Sequence, residues 1–262
     1  MIIALIILIA ICIFLTIQYS LFLPPVKGLP ILMYHKVSLE VNDHLTISVQ
    51  NLETHFKYLS DHGYRCMPLN QIADGTNKKL PRRSFTLTFD DAYLNNLEYL
   101  YPLLQKYNLH ATIMLPVGYL GKTNEWDEGN EALMNYKQLL SMDSKYISFG
   151  LHTYGHIPLK NSSFSEITAD IEKCKQELSL NGISYLPVLA YPYGGYPREK
   201  EKKEAFFELL KQLGIDYGLR IGNKINSWPL KNNYEVKRIN IKGNESFWIF
   251  KTRLKKGHVK MF

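Results

Sequence analysis

The chain has 262 residues, of which 46% are hydrophobic and 21% charged, so it is long enough to fold around a sizeable core. Its formal net charge is +7, but Lys and Arg are scattered along the chain. Because no basic stripe with interleaved aromatic residues appears, nucleic acid is not expected as a partner. The three cysteines, Cys12, Cys66 and Cys174, form no C-x-x-C pair, which argues against a disulfide framework or a cysteine metal site.

Residues 1–23 carry no charged side chain, and at about 1.5 Å per residue they are long enough to cross a hydrocarbon core of about 30 Å. The run lacks the basic start and the small-x-small site of a cleavable signal peptide. It stops at Pro24, where a linker over residues 24–30 begins. We therefore predict an uncleaved single-pass anchor in the cytoplasmic membrane. Its orientation, with the domain after the linker on the extracytoplasmic side, depends on the function inferred below.

After the linker, strand-like segments alternate with helical ones. Apolar runs predict strands at residues 31–37, 84–89, 111–117, 146–151, 187–193, 217–221 and 236–241. Helical spacing of apolar residues predicts helices at about residues 52–63, 94–104, 132–140, 165–180 and 202–213. This alternation predicts an α/β fold with parallel strands and outer helices, in a distorted or incomplete (β/α) barrel over residues 31–250.

Two segments are predicted to lie outside the regular alternation. Residues 251–262 are predicted to form a basic C-terminal tail. Residues 120–130, LGKTNEWDEGN by sequence from Leu120, form the clearest candidate for a surface loop.

Polar residues follow three of the predicted strands. Asp90 and Asp91 come directly after TLTF, His152 and His156 follow ISFGL, and residues 191–194 follow PVLA. Because the active sites of (β/α) barrels lie at the carboxyl ends of the strands, we expect these residues to converge on one rim.

One carboxylate and two imidazoles make a metal site that leaves coordination positions open for water and substrate. His152 and His156 have the spacing of ligands, and Gly155 would let the backbone bend between them. Taken alone, however, such a pair is more often part of a surface or a core, and Asp90-Asp91 fits a helix cap equally well. Where a strand has just ended, one aspartate can bind the ion while the other accepts a proton from water.

The three motifs together resemble a known family. Residues 88–91 (T-F-D-D), 152–156 (H-T-Y-G-H) and 190–194 (A-Y-P-Y-G) are similar, in order, to the first three motifs of the polysaccharide deacetylases with the NodB homology domain, carbohydrate esterase family four. The resemblance is strong over about residues 84–222 and extends from about residue 30.

This resemblance implies a role for each matching residue. Asp91, His152 and His156 would bind one divalent ion, Zn²⁺ with Co²⁺ or Ni²⁺ as alternatives, and Asp90 would be the general base. The ion and the backbone N–H of Tyr193 would stabilise the oxyanion. The segment expected on the substrate side consists of Tyr191, Pro192, Tyr193 and Gly194, of which the proline and the glycine mainly shape a turn.

The chain also departs from the family pattern. Ala190 occupies the place of an Arg that orients the base, the D-x-x-D-W motif is missing, and Trp228 is the candidate for its aromatic wall. The chain after Arg238 carries no L-x-H that would supply the general acid. A subset that deacetylates poly-β-1,6-N-acetylglucosamine has an M-Y-H segment on its first strand, which residues 32–35 resemble.

The resemblance to this subset implies that His35 is the general acid, and His258 or a solvent proton donor is the alternative. The expected activity is metal-dependent hydrolysis of N-acetyl groups from an amino-sugar polymer, here poly-N-acetylglucosamine. The alternatives are another N-acetylated glycan, namely peptidoglycan, a capsule or a lipid-linked sugar, and an inactive glycan-binding barrel. A metal phosphohydrolase is weakened by the absence of a phosphate-cradling Gly-rich loop.

Overall fold

The computed structural model describes residues 2–19, 25–41, 43–73 and 79–257. Its strands are β1 Ile31–Tyr34, β2 Lys36–Ser38, β3 Thr46–Ser48, β4 Arg65–Cys66, β5 Ser84–Asp90, β6 Ala111–Leu115, β7 Ile147–Leu151, β8 Val188–Ala190, β9 Tyr217–Ile221 and β10 Val236–Asn240. Its α-helices are α1 Ile2–Tyr19, α2 Val49–Asp61, α3 Leu69–Ala73, α4 Tyr101–Tyr107, α5 Tyr136–Leu140, α6 Phe164–Leu180, α7 Lys200–Gln212 and α8 Phe247–Lys256.

Seven strands close into a barrel. Their order is β1-β10-β9-β8-β7-β6-β5, and β5 pairs again with β1, so that the ring has no free edge. Every pairing in the ring is parallel. The predicted α/β barrel of incomplete type is therefore confirmed, with seven strands in the ring, while the short strand β4 pairs in parallel beside the first two residues of β5.

The strands are apolar because both of their faces are covered. All seven residues of β5 are buried, as expected for a parallel strand between a barrel interior and an outer layer of helices. One buried cluster gathers residues from five strands inside the ring: Ile31, Met114, Val188, Leu219 and Val236. A larger cluster joins the outer faces of the strands to the helices.

The outer helices begin at recognisable caps. Ser163 accepts a hydrogen bond from the backbone N–H of Glu166, and the Glu166 side chain returns to Ser163, which is a capping box at the start of α6. The buried face of α6 consists of Ile167, Ile171, Cys174 and Leu178, which share one stripe of the helix. Helical periodicity thus orients the apolar face of α6 toward the barrel.

The first predicted strand is interrupted. The apolar run over residues 31–37 divides at His35, because β1 stays in the barrel whereas β2 leaves it and pairs with β3. The predicted boundary after residue 250 falls within α8, which buries Phe250, Thr252, Arg253 and Leu254. The described part of the segment after residue 250 is therefore packed helix as far as Lys256.

The predicted membrane anchor over residues 1–23 is not supported. Its counterpart is α1, which ends at Tyr19, while residues 1 and 20–24 lie outside the described residues. Within the described ranges of the chain, no helix is both long and apolar enough to cross a membrane.

Candidate active site

The carboxyl ends of the barrel strands surround an open pocket of about 240 Å³. Residues that the strand-end pattern singled out on separate segments line it together: Asp90, Asp91, His152, His156, Tyr191, Tyr193 and Gly194. His35, from the end of β1, lines the same pocket. The structure therefore brings the candidate residues to one rim.

Asp91, His152 and His156 form a compact buried group whose ligand-type atoms lie within 4.8 Å of one another. Both imidazole Nε2 atoms are 3.5 Å from Asp91 Oδ1. That oxygen is buried and has no hydrogen-bond partner. Since a buried carboxylate oxygen without a partner is costly, the group fits a divalent cation in both composition and spacing.

The two imidazoles present their Nε2 atoms to this group because their Nδ1 atoms have other partners. His152 Nδ1 is 2.8 Å from the carbonyl oxygen of Ala190, a contact that requires a proton on Nδ1. Burial lowers the pKa of His152 to about 4, although the nearby charge of Asp90 acts in the opposite direction. At neutral pH His152 is therefore a neutral imidazole with a free Nε2 lone pair, the form that binds metal.

Unusual backbone conformations hold the ligands in place. Asp91, Thr153 and His156 have φ values of 73°, 66° and 50°, in the left-handed region. The backbone N–H groups of Tyr154 and Gly155 donate to the Asp170 carboxylate at 2.6 and 2.8 Å. The bends thus lie at Thr153 and His156, where the sequence suggested Gly155, and Asp170 of α6 stabilises the turn.

Asp90 has a different environment from that of Asp91. Its two oxygens accept hydrogen bonds from the Arg238 guanidinium at 2.5 and 2.8 Å, in a bidentate pair. Burial by itself raises the pKa of Asp90, but the charge of Arg238 and its hydrogen bonds outweigh this effect, so the pKa is lowered. Asp90 is accordingly a charged carboxylate in a buried position.

Arg238 is the residue that motif reasoning missed. Its side chain is 1% exposed and reaches Asp90 from β10, while Ala190 stands where the family motif has Arg. The available signal was Arg238, one of two charged residues with Lys237 in the short strand β10, because a buried arginine is rarely found without a carboxylate partner. Finding the partner required the barrel, since 148 residues separate the two in sequence.

His35 lies beside Asp90 at the end of β1. Its Nε2 atom is 3.9 Å from Asp90 Oδ2, its side chain is 12% exposed, and its Nδ1 atom is buried without a partner. The alternative, His258, lies outside the described residues. Within the described ranges, His35 and His44 are the histidines that line the pocket in addition to the two ligand candidates.

The turn over residues 191–194 contributes unequally to the pocket. Tyr193 is 56% exposed, and its hydroxyl is 3.3 Å from His156 Nδ1. The Tyr191 hydroxyl instead donates to the carbonyl oxygen of Tyr234 from a buried position. Pro192 is buried within the turn, and Gly194 lines the pocket, where a Cβ atom would lie 2.8 Å from the Ile221 side chain.

Residues 118–134, which we call the wall segment, build one side of the site. Trp126 stacks on the imidazole of His156 with a centroid separation of 4.6 Å, and Asp127 lines the pocket. The candidate surface loop over residues 120–130 is therefore part of the site. Trp228, the sequence candidate for an aromatic wall, packs instead against the cluster of Ile31 and Val236.

Comparisons with known proteins agree with this arrangement. Residues 77–218 match the family model of polysaccharide deacetylase. The chain is 28% identical to YxkH of Bacillus subtilis over 176 residues, which cover 66% of this chain and 60% of that protein. It is 29% identical to the poly-beta-1,6-N-acetyl-D-glucosamine N-deacetylase of Staphylococcus epidermidis over 212 residues, which cover 77% of this chain and 70% of that protein.

Solved structures show the same fold. The Streptococcus pyogenes deacetylase PplD, solved with acetate, superposes with a TM-score of 0.69 at 25% identity, over 85% of this chain and 95% of that one. IcaB from Ammonifex degensii superposes with a TM-score of 0.73 at 19% identity, over 88% of this chain and 98% of that one, a likeness of fold. On the family match and the shared NodB-type barrel, the chain belongs to the polysaccharide deacetylase family.

Proposed function

We propose that this protein hydrolyses N-acetyl groups from poly-β-1,6-N-acetylglucosamine with the help of one bound Zn²⁺ ion. The observation that carries the proposal is the buried group of Asp91, His152 and His156, with its partnerless carboxylate oxygen, directly beside the Asp90–Arg238 pair. The relatives named as deacetylases of this polymer support the choice of substrate. Peptidoglycan or another N-acetylated glycan is the alternative substrate.

Asp91, His152 and His156 would hold the ion. When bound, it supplies a Lewis acid that polarises the acetyl carbonyl and lowers the pKa of water in the site. The protein's own contribution is to orient both imidazoles, and His152 is oriented by the hydrogen bond from its Nδ1 to the carbonyl oxygen of Ala190. Trp126 stacks on His156 and restricts the rotation of that ring.

Asp90 is proposed to accept the proton of the attacking water. A base must be charged before it can accept a proton, and the guanidinium of Arg238 keeps the Asp90 carboxylate charged despite its burial. The bidentate contact also restricts the carboxylate to one orientation. Arg238 is therefore proposed as the residue that orients the base.

His35 is proposed to protonate the sugar nitrogen as the bond between that nitrogen and the acetyl carbon breaks, so that acetate departs and the amine stays on the sugar. Expulsion of an unprotonated amide nitrogen would require a poor leaving group, so a proton donor on the substrate side lowers the barrier. His35 Nε2 lies 3.9 Å from Asp90 Oδ2, which would allow the proton taken from water to return to the pocket. Tyr193 is proposed to assist at the acetyl oxygen through its backbone N–H.

The test is acetate release from defined glycans by the purified full chain. The substrates are β-1,6-linked N-acetylglucosamine oligomers, β-1,4-linked chitin oligomers and peptidoglycan, each with the Zn²⁺-loaded protein and with protein treated with a chelator. The proposal expects release from the β-1,6 oligomers that stops after chelation and returns when Zn²⁺ is added. Release from peptidoglycan alone would assign the alternative substrate, and release unaffected by chelation would contradict the metal mechanism.

We also propose that the protein acts outside the cytoplasm, because an exported amino-sugar polymer is accessible only there. Protease added to intact cells should then degrade the barrel domain while a cytoplasmic marker survives. Protection of both proteins to the same extent would contradict this location.

A further inference from the structure

Asp127 is a pocket residue that the mechanism does not use. It lies on the wall segment and lines the pocket together with Met33 of β1 and Asn240 of β10. Tyr193 is close to Asp127. The partial burial of Tyr193 raises the pKa of its hydroxyl, and the nearby negative charge of Asp127 raises that pKa further. A carboxylate and a phenol therefore lie next to each other at the pocket mouth, beyond the metal group.

The wall segment presents Asp127 on a restrained backbone. Thr123 and Ala132 form an antiparallel bridge, and the Asn124 side chain accepts from the backbone N–H of Glu131 at 2.8 Å. The buried Lys36 ammonium, which is also paired with Asp43, is 2.6 Å from Glu131 Oε1 and ties the segment to β2. Because the loop is tied at both arms, the position of Asp127 is built into the site.

The charge of Asp127 is the unpaired one among the carboxylates of the pocket. The negative charge of Asp90 is balanced by the ion pair with Arg238, and Asp91 faces two imidazoles in the group that fits a cation. In the described ranges of the chain, no Lys, Arg or His side chain forms an ion pair with Asp127. The remaining titratable groups that line the pocket are His35, His44, Tyr191 and Tyr193. In a chain with a net charge of +7, this negative charge at the mouth is a local feature.

We infer that Asp127 binds the ammonium group of an already deacetylated sugar next to the unit being cleaved. This inference rests on the proposed function, because deacetylation itself leaves a protonated amine on each product sugar. A carboxylate accepts charge-assisted hydrogen bonds from an ammonium, and it gains little from a neutral acetamide at the same place. The enzyme would then prefer partly deacetylated chains, and deacetylation would spread from units that are already free.

The test compares three β-1,6-linked trimers with the full-length, Zn²⁺-loaded enzyme. One trimer is fully acetylated. Each of the other two carries a single free amine, in one trimer on the sugar before the central acetylated unit and in the other on the sugar after it. We measure kcat/KM per acetyl group at a pH at which the amine is protonated. An ion pair in a partly exposed site is worth up to about 1 kcal/mol, so we expect one amine-bearing trimer to be favoured by about fivefold.

Two variants separate charge from shape. Asp127→Asn keeps the size of the side chain and should abolish the preference, so that the kcat/KM values of the trimers become about equal. Glu128→Gln removes an exposed charge from the neighbouring position and should leave the preference unchanged. In the parent enzyme the preference should shrink in high salt, since screening weakens a partly exposed ion pair.

The outcomes distinguish this inference from the proposed function. Release of acetate from none of the trimers would reject the proposed function and the inference with it. Equal kcat/KM on all three trimers, or a preference that survives in Asp127→Asn, would reject the inference alone and leave the deacetylase activity standing.

Discussion

The two neighbouring aspartates of the pocket have opposite environments. On one side, Asp91 faces two imidazoles and keeps a buried oxygen without a hydrogen-bond partner. On the other side, both Asp90 oxygens are occupied by Arg238. The contrast fits the proposed division of tasks. Asp91, with a buried oxygen that lacks a hydrogen-bond partner, is available to a cation, and Asp90, with a fixed counter-charge, is the carboxylate proposed to accept a proton.

Loss of one of the proposed metal ligands that face Asp91 should have the largest effect on turnover. In His156→Ala we expect bound metal to be lost and turnover to fall by roughly 10⁴-fold or more, because the ion contributes several kcal/mol to the stabilisation of the transition state. Elemental analysis and acetate release measure the two effects. His62→Ala, at an exposed histidine away from the pocket, is the control, and an unchanged metal content in His156→Ala would refute the ligand assignment.

Substitution of Asp90 should reduce turnover without loss of the bound metal. Asp90→Asn should keep the metal and lose about 10²–10⁴-fold in kcat, the usual contribution of a general base, whereas Asp91→Asn should lose both. Asp61→Asn, which alters an exposed carboxylate of α2, controls for a general effect of charge. If the two pocket variants lost metal to the same extent, the division between the aspartates would not exist.

His35→Gln should have a somewhat smaller effect, on the order of 10²-fold in kcat with normal folding and metal content. The physical reason is that solvent can supply a proton in place of the imidazole, though less efficiently. Circular dichroism, elemental analysis and acetate release are measured on the same preparation. A folded, metal-containing variant with nearly parental turnover would eliminate His35 as the acid and return attention to His258 or solvent.

Arg238→Lys should have the smallest effect on turnover, about tenfold, because it keeps the positive charge and loses the bidentate geometry. We expect the free energy of unfolding at pH 7 to fall by about 1–2 kcal/mol in urea titrations. The pKa of Asp90 is lower in the folded state, so the stabilisation from this pair is present above the unfolded value of about 3.9 and is lost as pH falls toward the folded pKa.

The unfolded state is the same for parent and Arg238→Lys, so the stability gap between them should narrow only as pH falls through the folded-state pKa of Asp90 in the variant, which lies above that of the parent. The acid limb of the pH–activity profile should also shift to higher pH in the variant, because the pKa of Asp90 rises when its counter-charge is less well placed. An acid limb that is the same in the parent and in Arg238→Lys would show that Arg238 acts through packing alone.

Several elements of the fold could be predicted from sequence because their patterns are local. The alternation of apolar runs predicted the strands of the barrel, and α6 follows the predicted 165–180 segment closely. The split at His35 was not predicted, because residues 31–37 are short enough to form one strand and only the pairing of β2 with β3 removes part of the segment from the ring. The pairing of β2 with a strand outside the barrel cannot be recognised from the sequence of residues 31–37 alone.

What the sequence determined by itself was the set of chemical groups at the strand ends: Asp90, Asp91, His152, His156 and His35 follow apolar strands, and parallel strands in a barrel deliver their carboxyl ends to one rim. What only the tertiary structure decided was the partner of each group. Arg238 reaches Asp90 across 148 residues, and Trp126 and Asp127 become part of the site because Lys36 and the bridge at Thr123 hold the wall segment against the pocket. Such contacts depend on the closure of the ring, which joins residues that no sequence spacing relates.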